Sequence, residues 1–171
     1  MIDIVLKQNE NVCITFIDYS TAFDSISHKF LDESLAAAGA SRKTRAMFRA
    51  IYEATEGIAR VRGLNGSTIY SESFKVCRGV IQGDIISPIF FILAMEQIFR
   101  LHDNTGDGVN VGTHLRIGIL GYADDVALIS KTTTMSERVT QVARGSKADA
   151  DMMINITKTK TLQVVKQVKV A

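Results

Sequence analysis

Apolar runs broken by polar and glycine-containing segments predict short strands alternating with longer helices. Residues 12–18 ("VCITFID") form a β-rich apolar run closed by an acid, the pattern of a buried strand. A helix is expected over 27–38, with Gly39 as the residue just past its end. A second starts with Ser41 as N-cap and ends near Gly57. On it, Met47, Phe48, Ile51 and Tyr52 share one face, and Arg42, Arg45 and Arg49 share roughly the opposite one. Runs 58–64 and 68–76 flank Asn65-Gly66, a strong hairpin signal. A long apolar helix follows over 87–101, with Ser87 as N-cap and Pro88 as first helical residue. Residues 102–113 are polar and Gly-rich and read as a loop. Residues 115–122 and 126–130 form a second hairpin, apolar on both faces and therefore expected at the sheet centre. A helix over 134–153, with Met135, Val139, Val142 and Ala143 at core spacing, and a strand over 161–165 close the chain. The order β-αα-ββ-α-ββ-α-β predicts an α+β fold, an antiparallel sheet with helices packed on one face. No repeat or internal boundary divides residues 1–171, so one unit is expected.

Composition narrows the class. Apolar residues are 46% and charged residues 22% of the 171, ordinary for a folded domain. Cys13 and Cys77 have no second Cys or His at ligand spacing, and His28, His102 and His114 are scattered, which argues against a disulfide scaffold or a zinc site. The longest apolar stretch, 85–95, is shorter than the ~18 residues of a membrane span. With no secretory signal visible, a soluble intracellular protein without membrane contact is expected. The net charge of +2 hides an alternation: −4 over residues 1–40, +5 over 41–80, −2 over 81–120 and +3 over 121–171. Basic surface beside an acidic pocket suits a polyanion with metal ions, although solvated helix faces also explain it.

Three acids stand at strand ends in apolar runs: Asp18 after "ITFI", and Asp124 and Asp125 after "ILGYA". If their strands are neighbours, the acids lie about 5 Å apart. Carboxylates that close repel unless cations neutralise them, and oxygen donors favour Mg²⁺. A solvated turn or helix cap is the plainer explanation of each acid taken alone.

Larger motifs bear on that choice. "FIDYSTAFDSISH" (16–28), "RGVIQGDIISPIFFIL" (78–93), "GYADDVALI" (121–129) and "INITKTKTL" (154–162) resemble motifs A, B, C and D of reverse transcriptases, in that order. Ala-Phe-Asp after the first acid and the Gln-Gly-Asp-x-x-Ser-Pro form are most similar to the non-LTR retrotransposon branch. The resemblance implies a right-hand polymerase palm in which Asp18, Asp124 and Asp125 carry two Mg²⁺ ions, with Mn²⁺ as substitute. Asp18 and Asp124 are then the main ligands and Asp125 the peripheral one, since alternate strand residues face opposite ways. The carbonyl of Ile17 or Tyr19 adds a further oxygen, and Tyr19 joins the nucleotide-binding set.

The same resemblance implies that Phe23 lies under the sugar and rejects a 2′-hydroxyl. It sets Gln82 and Gly83 against the incoming nucleotide and Arg78 near template or triphosphate. Lys158, preferred over Lys160 because it follows Asn155 by three, acts on the leaving pyrophosphate. Asp24 orients the segment after motif A and is not expected to be a ligand. Each has a plainer reading: a core Phe, exposed loop residues at Gln82 and Lys158, a strand-end Arg. The arginine stripe 42, 45 and 49 either meets the template backbone or is a solvated face.

The expected partners are an RNA template, a DNA primer and dNTPs, with fingers, thumb and other domains of a longer polyprotein outside this chain. A nuclear or cytoplasmic location follows for a eukaryotic retroelement. Two rivals remain open here: a non-catalytic nucleic-acid-binding remnant or scaffold, and a template-independent nucleotidyl transferase or cyclase.

Overall fold

The computed structural model describes residues 11–102, 108–111, 115–131 and 134–164. Its centre is a four-stranded antiparallel sheet of order β12-β1-β10-β9. The strands are β1 (Val12–Ile17), β9 (Ile119–Tyr122), β10 (Asp125–Lys131) and β12 (Lys160–Val164). β1 and β10 pair from Val12↔Lys131 to Ile17↔Val126. Strand alternation gives the sheet two faces. Cys13, Thr15 and Ile17 of β1 and Val126, Leu128 and Ser130 of β10 are buried toward the helices.

The helical layer is α1 (Ala22–Ser25), α2 (His28–Ala37), α3 (Arg42–Ala54), α4 (Ser87–His102) and α5 (Met135–Ala150). α5 packs on β1 and β10, α4 on α2 and α5, and α3 on α2. In α4, Phe91, Ala94, Met95 and Ile98 are all buried, the i, i+3, i+4, i+7 stripe of a core helix. Ser27 and Ser41 accept hydrogen bonds from Phe30 and Thr44 backbone N–H groups, the N-caps of α2 and α3. Gly39, at φ 85°, takes the left-handed position after α2.

Among the described residues, the opposite sheet face is covered at one end only. There β7 (Val109–Val111) and β8 (Leu115–Ile117) form a hairpin, and Val109 joins Val12 and Ile129 in a small second core. At the other end, where β1 stops before Asp18, that face is open: Phe16 is 53% and Tyr122 85% exposed.

Several expectations are corrected. Residues 109–111 of the anticipated loop are a strand, and 115–122 is two strands broken at Gly118, whose carbonyl accepts from Ile129 N–H. Only β10 of the second hairpin is central; β9 is an edge. Ser87 does not cap α4. The helix begins at Ser87 itself, and the Ile86 carbonyl accepts from Ile89 and Phe90 N–H. The first hairpin holds as β4 (Arg60–Arg62) with β5 (Thr68–Tyr70), backed by β3 (Glu56–Gly57) with β6 (Phe74–Lys75). The pair β2 (Tyr19–Ser20) with β11 (Met153–Ile154) and the short α1 have no sequence signal. His114 and residue 165 lie outside the described residues.

Candidate active site

Asp18 follows the last residue of β1, and Ile17 pairs with Val126. One further step in that register sets Asp18 opposite Asp125, the first residue of β10. By alternation both carboxylates belong to the open face, away from the helices. Asp124 occupies the two-residue turn between β9 and β10, closed by Tyr122↔Asp125. Its neighbour Ala123 sits at φ 55°, a left-handed position that costs a residue with a Cβ roughly 1–2 kcal/mol. Because Asp124 is a turn residue, strand alternation does not rank it above Asp125.

The three acids are an aligned pair plus a turn residue. Among the described residues no three Asp, Glu, His or Cys side chains converge closely enough to hold a metal ion. The donor set itself, three hard carboxylates at one end of an open sheet face, fits Mg²⁺ or Mn²⁺ chemistry.

The segment after β11 is fastened to Asp18. Asn155 N–H donates to the Asp18 carbonyl at 2.7 Å, and Asp18 N–H donates to Thr159 Oγ1 at 3.4 Å. Asn155 Oδ1 accepts from Thr157 Oγ1 at 2.7 Å and from Lys158 N–H at 3.3 Å, capping the turn over 155–159. This turn leaves Lys158 Nζ 3.8 Å from Asp18 Oδ2. Lys160 Nζ instead donates to the Thr157 carbonyl at 2.9 Å.

Motif B docks on α1 through the backbone. Val80 N–H donates to Phe23 O and Gly79 N–H to Ile26 O, both at 2.8 Å. Gly79, at φ 80°, lies so close that a Cβ would sit 2.8 Å from the Asp24 backbone. Beside it is a cleft of about 330 Å³ lined by Phe23, Ile81, Gln82, Gly83, Asp84 and Ser87 among others. Phe23 stacks on Phe91, centroids 4.1 Å apart at 19°. Gln82 Nε2 donates to Asp24 Oδ1 at 2.6 Å. The structure thus brings Phe23, Gln82 and Gly83 to one cleft and Lys158 to Asp18, while Asp125 opens β10 after the turn.

Two expected residues stand elsewhere. The Tyr19 side chain is buried, with its hydroxyl 3.0 Å from Ser146 Oγ, and burial pushes the phenol's pKa up. The ring is therefore core, and only the backbone of Tyr19 can face a ligand. Arg78 lies 3.5 Å from Asp151, which Lys147 also binds, Lys147 more than Arg78 holding that carboxyl below the usual range. Arg78 thus joins motif B to the end of α5. The arginine stripe is likewise partly engaged: Arg45 grips Asp32 through two bonds and Arg49 adds a third. Sequence reasoning missed Asn155 and Thr159 as site-building residues. The Asn-x-Thr pattern at 155–157, which suits a side-chain-capped turn, was the available signal.

A family model described as reverse transcriptase (RNA-dependent DNA polymerase) matches residues 2–170. The chain belongs to the reverse transcriptase family. It is 33% identical over 136 residues to the retrovirus-related Pol polyprotein of the type-2 retrotransposable element R2DM of Drosophila melanogaster, covering 77% of this chain and 12% of that protein. It is 31% identical over 120 residues to the Pol polyprotein of a type-1 retrotransposable element R2 of Nasonia vitripennis, covering 70% of this chain and 11% of that protein. The chain thus spans about an eighth of the length of these relatives. Among solved structures it resembles apo telomerase from Candida tropicalis, truncated from the C-terminal domain, with TM-score 0.63, 15% identity and coverage of 99% of this chain and 34% of that one. Telomerase from Candida albicans with a fragment of telomeric RNA matches with TM-score 0.63 and 14% identity over 94% of this chain and 29% of that one. At such identity these likenesses bear on the fold, which is the α+β polymerase palm. Among the described residues no helix is long and apolar enough to cross a membrane.

Proposed function

We propose that residues 1–171 are a single palm unit of an RNA-directed DNA polymerase from a non-LTR retroelement polyprotein. It works inside the cell on an RNA template, a DNA primer and dNTPs. The observation that carries this reading is the Ile17↔Val126 register, whose next step sets Asp18 opposite Asp125, together with Lys158 Nζ 3.8 Å from Asp18. Asp18, Asp124 and Asp125 hold two Mg²⁺ ions, or Mn²⁺ in their place, which supply charge neutralisation and Lewis acidity for phosphoryl transfer. Phe23 closes the floor of the cleft against a 2′-hydroxyl. Gln82, held by Asp24, and Gly83, whose missing Cβ leaves its backbone open to approach, line the nucleotide side. Arg78, held by Asp151 outside the cleft lining, meets the template only where a phosphate displaces it from that carboxylate. Lys158 donates a proton or charge to the departing pyrophosphate. The exposed end of the sheet, around Phe16 and Tyr122, leaves room for the primer terminus.

Primer extension on an RNA template with dNTPs and Mg²⁺ tests this, beside an Asp124→Asn control matched by circular dichroism. Extension by the parent and none by the control is expected. RNA binding that survives chelation, with no extension even when flanking sequence is supplied, points instead to a non-catalytic binding role.

A further inference from the structure

Asp18 has a cation beside it supplied by the chain itself. The turn capped by Asn155 is bonded to the Asp18 backbone at both its carbonyl and its N–H, which ties the loop carrying Lys158 to Asp18. Lys160, two residues on, is engaged with Thr157 and does not share the carboxylate. The side chains of Lys158 and Asp18 remain 69% and 40% exposed, which leaves the carboxylate open to other cations.

We propose that Lys158 is the resident counter-cation of Asp18 and that a divalent cation binds there by exchange with it. The inference rests on the metal reading of Asp18 given above. A lysine ammonium is a compact charge on a flexible four-carbon stem, able to leave without disturbing its backbone. It competes for the same oxygens, and like charges about 4 Å apart repel even in a watery setting. The ammonium removed from Asp18 stays tethered by the Asn155 turn next to the strand ends, where polyphosphate would bind. Asn155 is the positioning residue: its side-chain oxygen sets where the stem of Lys158 begins.

The test is Mn²⁺ binding to the 171-residue chain without nucleotide. Free Mn²⁺ is followed by electron paramagnetic resonance at low ionic strength, with fold checked by circular dichroism. Asp18→Asn is expected to lose the site. Lys158→Ala and Lys158→Gln are expected to tighten Mn²⁺ binding about two- to fivefold, the range an exposed ion pair is worth. Lys158→Arg should stay near the parent, because it keeps the charge. Asn155→Ala should tighten binding by a smaller factor, since it loosens Lys158 without removing it. Unchanged or weaker affinity in both neutral Lys158 variants, with Asp18→Asn still losing the site, overturns the exchange while leaving the metal reading intact. A parent that binds Mn²⁺ no better than Asp18→Asn overturns the metal reading and the exchange together.

Discussion

Gln82 donates its side-chain amide to Asp24 at 2.6 Å, joining two motifs 58 residues apart. The bond gives Asp24 a role that its place after Phe23 does not disclose: it holds the amide that lines the cleft beside Phe23. A hydrogen bond to a charged group is worth about 1.5 kcal/mol or more when shielded, less at this exposed position. Asp24→Ala should therefore raise the KM for dNTP about three- to tenfold, with kcat changed less. Steady-state kinetics check this, and an unaltered KM would show that Gln82 needs no such support.

Phe23 lies flat on Phe91, a fully buried α4 residue, so its ring is fixed from below. Phe23→Val should admit ribonucleotides, raising the ratio of rNTP to dNTP incorporation by at least about tenfold. It should also lower stability by about 1 kcal/mol through the lost ring contact. Competitive incorporation assays read the first effect, and sugar selectivity equal to the parent's would remove Phe23 from the discriminating role.

Gly121 on β9 lies directly under the Phe99 ring of α4, and a Cβ there would overlap the ring edge. Gly121→Ala should destabilise the chain by about 1–3 kcal/mol, the usual cost of overpacking. Combining it with Phe99→Ala should recover part of that loss. Urea denaturation of the single and double variants measures the coupling; strictly additive losses would mean that the two residues do not meet.

Asp32 ties α2 to α3 through Arg45 and Arg49, and its hydrogen bond with Arg45 chiefly holds its carboxyl below the usual range. A depressed folded pKa contributes stability above the unfolded carboxylate pKa, near 4, and loses it as pH falls through the folded value. Asp32→Asn should thus lower stability at pH 7 while flattening the acid limb of the stability–pH curve below about pH 4. Thermal melts from pH 2 to 7 decide it, with a parallel displacement of the two curves counting against the ion pair.

Much of the architecture could be read because it is local. Ser27, Ser41 and Gly39 punctuate their helices through bonds within a few residues, and Asn65-Gly66 marks its hairpin by backbone conformation alone. The stripe Phe91, Ala94, Met95, Ile98 declares a core helix by period. The chemistry-bearing acids stood out because a carboxylate closing an apolar strand has no local reason to be there. What could not be read was made by pairings that residue type does not announce, some of them between residues far apart in the chain. Residues 109–111 become a strand only because 115–117 lies beside them, and Ser87 falls inside its helix because the Ile86 carbonyl accepts the first bonds. Tyr19 sits in a polymerase motif, yet its ring is drawn into the core by Ser146, 127 residues away.

The sequence by itself determined the α+β class, the four longer helices, the caps of α2 and α3, the three acids at strand ends and the family to which they point. Those properties depend on residue type, spacing and short-range hydrogen bonds, which the linear order specifies directly. Only the tertiary structure decided that Ile17 pairs with Val126, so that Asp18 and Asp125 follow at the same end, while Asp124 rides the turn. It alone decided that Lys158 rather than Lys160 reaches Asp18, and that Arg45 and Arg49 are spent on Asp32. Each depends on register across a sheet or on packing between helices. A one-residue slip turns a side chain to the other face, and periodicity cannot say which register the core selects.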